Sequence, residues 1–89
     1  MHKAASITVN IVYFGHLHDT LGCREEQIAW TGGDSSALLA LLRARGGVWA
    51  QALQPDKIFR VAVNHVLYTE PVLIPDGAEV GILPPVTGG

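Results

Sequence analysis

The sequence predicts an α+β fold, a small mixed sheet crossed on one face by a single main helix. Three observations lead there. Apolar residues alternate with polar ones in short runs at Ile7 to Phe14, Glu25 to Trp30, Phe59 to Val63, Val66 to Tyr68 and Glu79 to Leu83, each bounded by turn-forming residues. The stretch from Asp34 or Ser35 to about Arg45 has the leucine spacing of an amphipathic helix several turns long. A lone amphipathic helix cannot bury its own stripe, so it must lie across the sheet that the strands build.

Composition agrees with one small globule. The 89 residues are 48% hydrophobic and 16% charged, enough apolar material for a single modest core and too little charge for a disordered chain. A net charge of −2 offers no basic stripe, which argues against a nucleic-acid partner. Met1 to Ser6 has no apolar run resembling a signal peptide, and no stretch approaches membrane-spanning length, so no membrane association is expected. A single cysteine, Cys23, cannot form an internal disulfide, which suits a cytoplasmic protein.

In the first strand, Val9, Ile11 and Tyr13 form one face, with Thr8, Asn10, Val12 and Phe14 on the other. Leu17 and Leu21, four apart, predict a short helical turn that Gly22 would cap. Glu25 to Trp30 reads as the second strand. Asp34 or Ser35 would cap the main helix, whose Leu38, Leu39, Leu41 and Leu42 give a broad apolar stripe. Arg43 and Arg45 suit the negative end of its dipole, and Gly46-Gly47 ends it. Trp49, Ala50 and Leu53 suggest a further helical piece before the Pro55-Asp56 turn, with Trp49 expected in the core. Phe59 to Val63 follows as the third strand, Asn64-His65 as a tight turn into Val66 to Tyr68, and Pro75-Asp76-Gly77 as the turn before Glu79 to Leu83. The order strand, strand, helix, strand, short strand, strand is that of the β-grasp, or ubiquitin-like, fold. The expected organisation is a β-grasp domain over residues 1–83 and a flexible Gly-Gly tail over residues 84–89.

That tail, Pro84-Pro85-Val86-Thr87-Gly88-Gly89, is the most suggestive stretch. Two prolines cannot donate to a ladder and so end the sheet. Gly88 and Gly89 have no side chains, so their backbone could pass a narrow channel. From Pro85 to Gly89 an extended chain reaches roughly 16–18 Å, far enough to carry a terminal carboxylate into another protein's cleft. The competing reading is a frayed, Gly-rich terminus.

The chain resembles the small subunits of molybdopterin synthases, the MoaD/ThiS family of sulfur carriers. The resemblance rests on Tyr13-Phe14, Leu21-Gly22, Trp49-Ala50 with Leu53, Val63-Asn64, Asp76-Gly77 with Glu79-Val80, and the terminal Pro-Pro-Val-Thr-Gly-Gly. It runs from about Ile7 to Gly89 and departs at Ile82 and Leu83, where the family often has aromatics, and at Thr87, where a smaller residue is common. It implies that an E1-like adenylating enzyme, using ATP in trans, activates Gly89, which then becomes a thiocarboxylate. It further implies that the large synthase subunit, in a heterotetramer, receives the tail. There sulfur is donated to cyclic pyranopterin monophosphate to build the molybdopterin dithiolene. On this resemblance the chain binds no cofactor and is not an enzyme alone. Gly88 serves passage and reactivity beside Gly89, while Pro84, Pro85, Val86 and Thr87 are expected partner contacts.

The need for outside activation also follows from the carboxylate itself. An α-carboxyl group ionises at about 3.3–3.7, so at neutral pH it is an anion and a poor acyl electrophile. It must gain a leaving group such as AMP, and the chain carries no Gly-x-x-x-x-Gly-Lys loop that could hold a nucleotide. Three alternatives stay open: a carrier for thiamine thiazole, tRNA thiolation or cysteine synthesis, a ubiquitin-like protein modifier, and a plain interaction module with an idle terminus. The Pro-Pro-Val-x-Gly-Gly tail and the extra residues between Arg45 and Ile58 favour molybdopterin, because thiamine carriers of the family are usually shorter.

Strand parity locates a docking surface. If Val9, Ile11 and Tyr13 face the helix, then Val12 and Phe14 face outward, and on the last strand so do Glu79, Gly81 and Leu83. With the first and last strands side by side, Phe14 and Leu83 would be neighbours at the root of the tail, joined by Leu67. Similarity to the synthase family points to the same three positions as the contact with the large subunit. The competing expectation tucks Phe14 under the Gly15 to Leu21 turn. His2, His16, His18 and His65 lack a cysteine or carboxylate at ligand spacing and read as solvated loop residues, so no metal is expected. Cys23 has no cationic cluster to activate it, and Asp19, Glu25 and Glu26 read as a charged loop.

Overall fold

A computed structural model describes residues 6–55, 57 and 59–85. The chain forms β1 (Ile7–Tyr13), α1 (Leu17–Leu21), β2 (Glu25–Trp30), α2 (Ser35–Arg43), α3 (Gly47–Ala52), β3 (Arg60–Val63), β4 (Val66–Tyr68) and β5 (Glu79–Leu83). The strands make one sheet in the order β2-β1-β5-β3-β4, with β1 and β5 parallel and every other pair antiparallel. This is the β-grasp arrangement.

Local sequence explains most of the boundaries. Asp34 caps α2 by accepting a hydrogen bond from the Ala37 N–H at 2.8 Å. The helix ends at Arg43, two residues earlier than expected, because its last turn tightens. The Arg45 N–H reaches Leu42 and the Gly46 N–H reaches Arg43, both three residues back. Asn64 and His65 both take left-handed conformations (φ 51° and 72°), the two-residue turn that matches the twist of a hairpin. Asn64 also anchors β5: its N–H donates to the Glu79 carbonyl at 2.8 Å, and its Oδ1 accepts the Glu79 N–H at 3.0 Å.

The core lies between the helices and one face of the sheet. Val9, Ile11 and Tyr13 of β1, Val80 and Ile82 of β5, and Val61 and Val63 of β3 meet Leu38 and Leu42 of α2, Leu17 and Leu21 of α1, and Leu53. The expected stripe of four leucines is narrower than the spacing suggests. Leu38 and Leu42 are buried, Leu39 is partly so, and Leu41 is exposed. Trp49 packs at the margin of the core, its ring edge-on to Tyr13 at 5.5 Å between centroids. Among the described residues, no helix is long and apolar enough to cross a membrane.

One reading from sequence is corrected here. Asp19, Glu25 and Glu26 are no charged loop: Asp19 lies on α1 and Glu25 on β2, and so does Glu26, which strand alternation turns toward the helix side. There its carboxylate accepts the Tyr13 hydroxyl at 2.7 Å and both Arg45 guanidinium N–H groups at 2.8 and 3.0 Å. Arg45 in turn lies 4.3 Å over the Trp49 ring. The Arg45 hydrogen bonds hold the Glu26 carboxyl below the usual range, against the opposing effect of its partial burial. Burial, reinforced by the bond to Glu26, pushes the Tyr13 hydroxyl far above its ordinary value, so it stays a donor.

Two outcomes are expected of this architecture. Leu42→Ala, at a fully buried site, should cost about 2–5 kcal/mol in urea unfolding. Glu26 has a lower pKa folded than unfolded, so its contribution is present above the ordinary glutamate value of about 4.3 and is lost as pH falls through the folded value. Glu26→Gln should therefore lose about 1–2 kcal/mol at neutral pH and show a smaller further loss at pH 3 than the parent. Equal losses on acidification in the two proteins would remove the ion pair from the account.

Candidate functional site: the outer sheet face and the root of the tail

The face of the sheet away from the helices carries the site. Cross-strand register sets Val12 beside Gly81, Gly81 beside Ala62, and Ala62 beside Leu67, a row that crosses β1, β5, β3 and β4. The next row toward the chain terminus pairs Leu83 with Arg60. Phe14 follows Tyr13, the partner of Ile82, and its N–H donates to the Ile82 carbonyl at 3.0 Å, which sets Phe14 beside Leu83. Phe14 is 45% exposed and Leu67 49%, while Leu83 is half-buried. On the other side of the apolar rows, Gln27, Asn10 and Glu79 form a polar row, with Gln27 donating to Asn10 at 3.1 Å.

The structure thus brings Phe14 and Leu83 together and carries the apolar surface across the sheet to Leu67. At a strand spacing of 4.7–4.9 Å, Leu67 stands about 10 Å from Gly81. Phe14 does not tuck under the turn that follows it. Its ring lies on β5 instead, so close to Gly81 that a Cβ there would fall 2.6 Å from the Phe14 Cε2. The open position is available because Gly81 carries no side chain and Val12 and Ala62 are small enough to leave a shallow floor.

Pro84 and Pro85 leave the sheet seated against the body. A Cβ at Gly15 would lie 3.1 Å from the Pro84 Cγ, which places the first proline against the loop between β1 and α1. Pro85 lines a half-open pocket of about 230 Å³ with His16, Ala52, Lys57 and Phe59. Val86, Thr87, Gly88 and Gly89, the remainder of the tail expected over residues 84–89, lie outside the described residues.

The remaining candidates stay apart from this face. Cys23 donates to the Glu25 carbonyl at 3.5 Å, and partial burial, with the Glu26 charge nearby, raises its thiol pKa away from reactivity. His16 lines the Pro85 pocket, His18 meets Asp19 at 3.3 Å, and His65 lies 3.9 Å from Glu79. His2 lies outside the described residues. Among the described residues, no group of three or more His, Cys, Asp or Glu side chains could hold a metal ion. Sequence reading set Gly81 on the outward face by strand parity but did not foresee that the Phe14 ring would press on it, nor that Ala62 and Arg60 would join the face. A glycine in mid-strand was the available signal, since such a residue often marks a close approach.

A five-stranded sheet with its first and last strands parallel, one main helix across it and an apolar outer face leading into the C-terminal residues defines a ubiquitin-like protein of the β-grasp class. The chain belongs to the ThiS family, whose model matches residues 11–89. It is 31% identical over 81 residues to the molybdopterin synthase sulfur carrier subunit of Escherichia coli, and 30% identical over 81 residues to the subunit of the same name from Haemophilus influenzae. Each alignment covers 91% of this chain and 99% of the relative. The solution structure of the HVO 2177 protein of Haloferax volcanii superposes with a TM-score of 0.79 at 19% identity, covering 100% of this chain and 92% of that one, a likeness of fold. The type is that of the MoaD/ThiS sulfur carriers.

Exposure of Phe14 leads to an expected outcome for the free protein. Phe14→Ala removes a half-exposed ring from the outer face and should change stability by less than about 1 kcal/mol in urea unfolding. A loss of the size expected of a core aromatic, about 3–5 kcal/mol, would make Phe14 part of the core.

Proposed function

We propose that the chain is the sulfur-donating subunit of a molybdopterin synthase and that its Gly89 carries the sulfur. The observation that supports this most is the family match running through Gly89, joined to an apolar face at the root of that terminus. The Gly89 carboxylate attacks the α-phosphorus of ATP on an E1-like enzyme, forming the acyl-adenylate and releasing pyrophosphate. A sulfur nucleophile at the sulfide level then adds to the carbonyl, AMP leaves, and Gly89 holds a thiocarboxylate. ATP is bound by the activating enzyme, not by this chain.

On this reading the outer face docks on the large subunit through Phe14, Leu67 and Leu83. Pro84 and Pro85 aim the chain, and Val86, Thr87 and Gly88 thread it toward the substrate. Each thiocarboxylate sulfur bonds to a carbon of cyclic pyranopterin monophosphate as an oxygen substituent leaves that carbon, and hydrolysis of the resulting thioester leaves the sulfur on the substrate and returns the Gly89 carboxylate. A dithiolene needs two sulfurs, so two charged carriers are consumed per product, in keeping with a heterotetramer. The chain supplies sulfur and position, and the large subunit supplies the catalytic groups.

Mass spectrometry of the protein from its native host tests the chemistry. The expected product is the mass change of one oxygen replaced by sulfur at Gly89. Isopeptide-linked adducts would instead mark a protein modifier, and an unaltered terminus an idle module. Deleting Gly89, or adding one residue after it, should abolish adenylation and sulfur transfer while leaving the fold intact. Activity in an extended, untrimmed form would overturn the carrier role. Reconstitution with cyclic pyranopterin monophosphate, and with the acceptors of the other carrier pathways, separates molybdopterin synthesis from those routes. Docking is tested by Phe14→Ala and Leu83→Arg, each expected to weaken binding to the large subunit by about 2 kcal/mol or more.

A further inference from the structure

We propose that Gly81 is a positioning residue for the docking face: by carrying no side chain, it lets an edge of the Phe14 ring settle onto the strand. The inference rests on the reading above that this face meets the partner. A side chain at Gly81 would begin 2.6 Å from the Phe14 Cε2, with Cδ2 at 3.4 Å and Cζ at 3.6 Å, so one edge of the ring occupies the space that a Cβ would fill. Gly81 is not among the glycines with positive φ, so the backbone alone does not demand glycine there. It sits on β5 between β1 and β3, where a glycine weakens a strand and needs a packing reason. The packing reason here is an exposed ring, not a buried one.

That distinction carries the argument. Were Phe14 a core residue, the surrounding core would hold its rotamer and the glycine would only fill a gap. With 45% of its surface exposed, Phe14 has few neighbours to hold it, and the bare backbone at Gly81 is the floor on which it rests. A methyl group there would lift the ring off the sheet or swing it aside. The ring seated at Gly81 continues the apolar surface of Val12, Ala62, Leu83 and Leu67, so the partner it fits presents a broad apolar face. Holding the ring in its bound pose before contact removes an ordering cost from association.

The test is a double-mutant cycle in binding to the large synthase subunit, using the full chain with Gly81→Ala, Phe14→Ala and the pair, each melted in parallel. Gly81→Ala should fold and melt like the parent yet bind about tenfold more weakly, while adding Gly81→Ala to Phe14→Ala should cost little further affinity. Parental affinity for Gly81→Ala, or an equal loss with and without Phe14, overturns the positioning role and leaves the docking face in place. If Phe14→Ala itself binds like the parent, the docking face falls and the positioning role with it. The unmutated protein supplies a readout independent of any variant's folding. The Gly81 Hα that stands where a Cβ would be lies in the plane of the Phe14 ring, off its Cε2 edge, so ring current should shift it downfield of its position in Phe14→Ala, and matching shifts would overturn the seated pose.

Discussion

Parallel strands cannot be joined by a tight turn, so pairing β1 with β5 obliges the chain to leave the first strand, build the rest of the domain and return alongside it. Everything else follows from that closure. Residues near the two ends of the sequence become neighbours in the middle of the sheet, with Asn10 beside Glu79 and Tyr13 beside Ile82. The helix and both flanking hairpin partners are the material spent on the crossover. Because β1 and β5 run the same way, the end of β1 and the end of β5 emerge together, and the C-terminal residues leave the body beside Phe14. The point where the chain leaves β5 and the apolar face are adjacent for a topological reason.

The helix side of the sheet is held by two kinds of interaction. Leucines of α1 and α2 supply undirected apolar burial against the inner strand residues. The group formed by Tyr13, Glu26, Arg45 and Trp49 supplies direction. A carboxylate that accepts three hydrogen bonds from a strand tyrosine and a post-helix arginine fixes where the end of α2 lies over β1 and β2. Its chemistry is structural throughout. A hydroxyl kept protonated and a carboxylate kept ionised are good fasteners, and neither is poised to exchange protons near neutral pH.

The outer face follows the opposite logic. Apart from Arg60 beside Leu83, its residues beyond the polar row of Gln27, Asn10 and Glu79 are small or apolar. Among the described residues no polar cluster is arranged for bond making. On the proposed function, a carrier that lends a terminal group to a partner's chemistry needs a surface for docking and a chain for delivery, and a chain of 89 residues suffices for both. The two prolines join those parts: each restricts its own φ, and each rests on the body, Pro84 against Gly15 and Pro85 beside Phe59.

The sequence by itself determined the kind and order of the elements and the face on which each strand residue falls. Both are written locally: a pleat has a period of two, so Val9, Ile11 and Tyr13 must oppose Val12 and Phe14 wherever the strand lies. Turn chemistry is equally local, and Asn64-His65 could be read as a hairpin before its φ values were known. The limits of α2 and the burial of Leu41 were less legible, because periodicity gives the direction of an apolar stripe and not the width of the surface that covers it. Only the tertiary structure decided that Glu26 is a fastener and that Gly81 lies under Phe14. Tyr13, Glu26 and Arg45 are separated by 13 and 19 residues, and Phe14 and Gly81 lie near opposite ends of the chain. No local pattern records such meetings, since they exist only after the parallel pairing of β1 with β5 and the packing of α2 have brought distant side chains within contact distance.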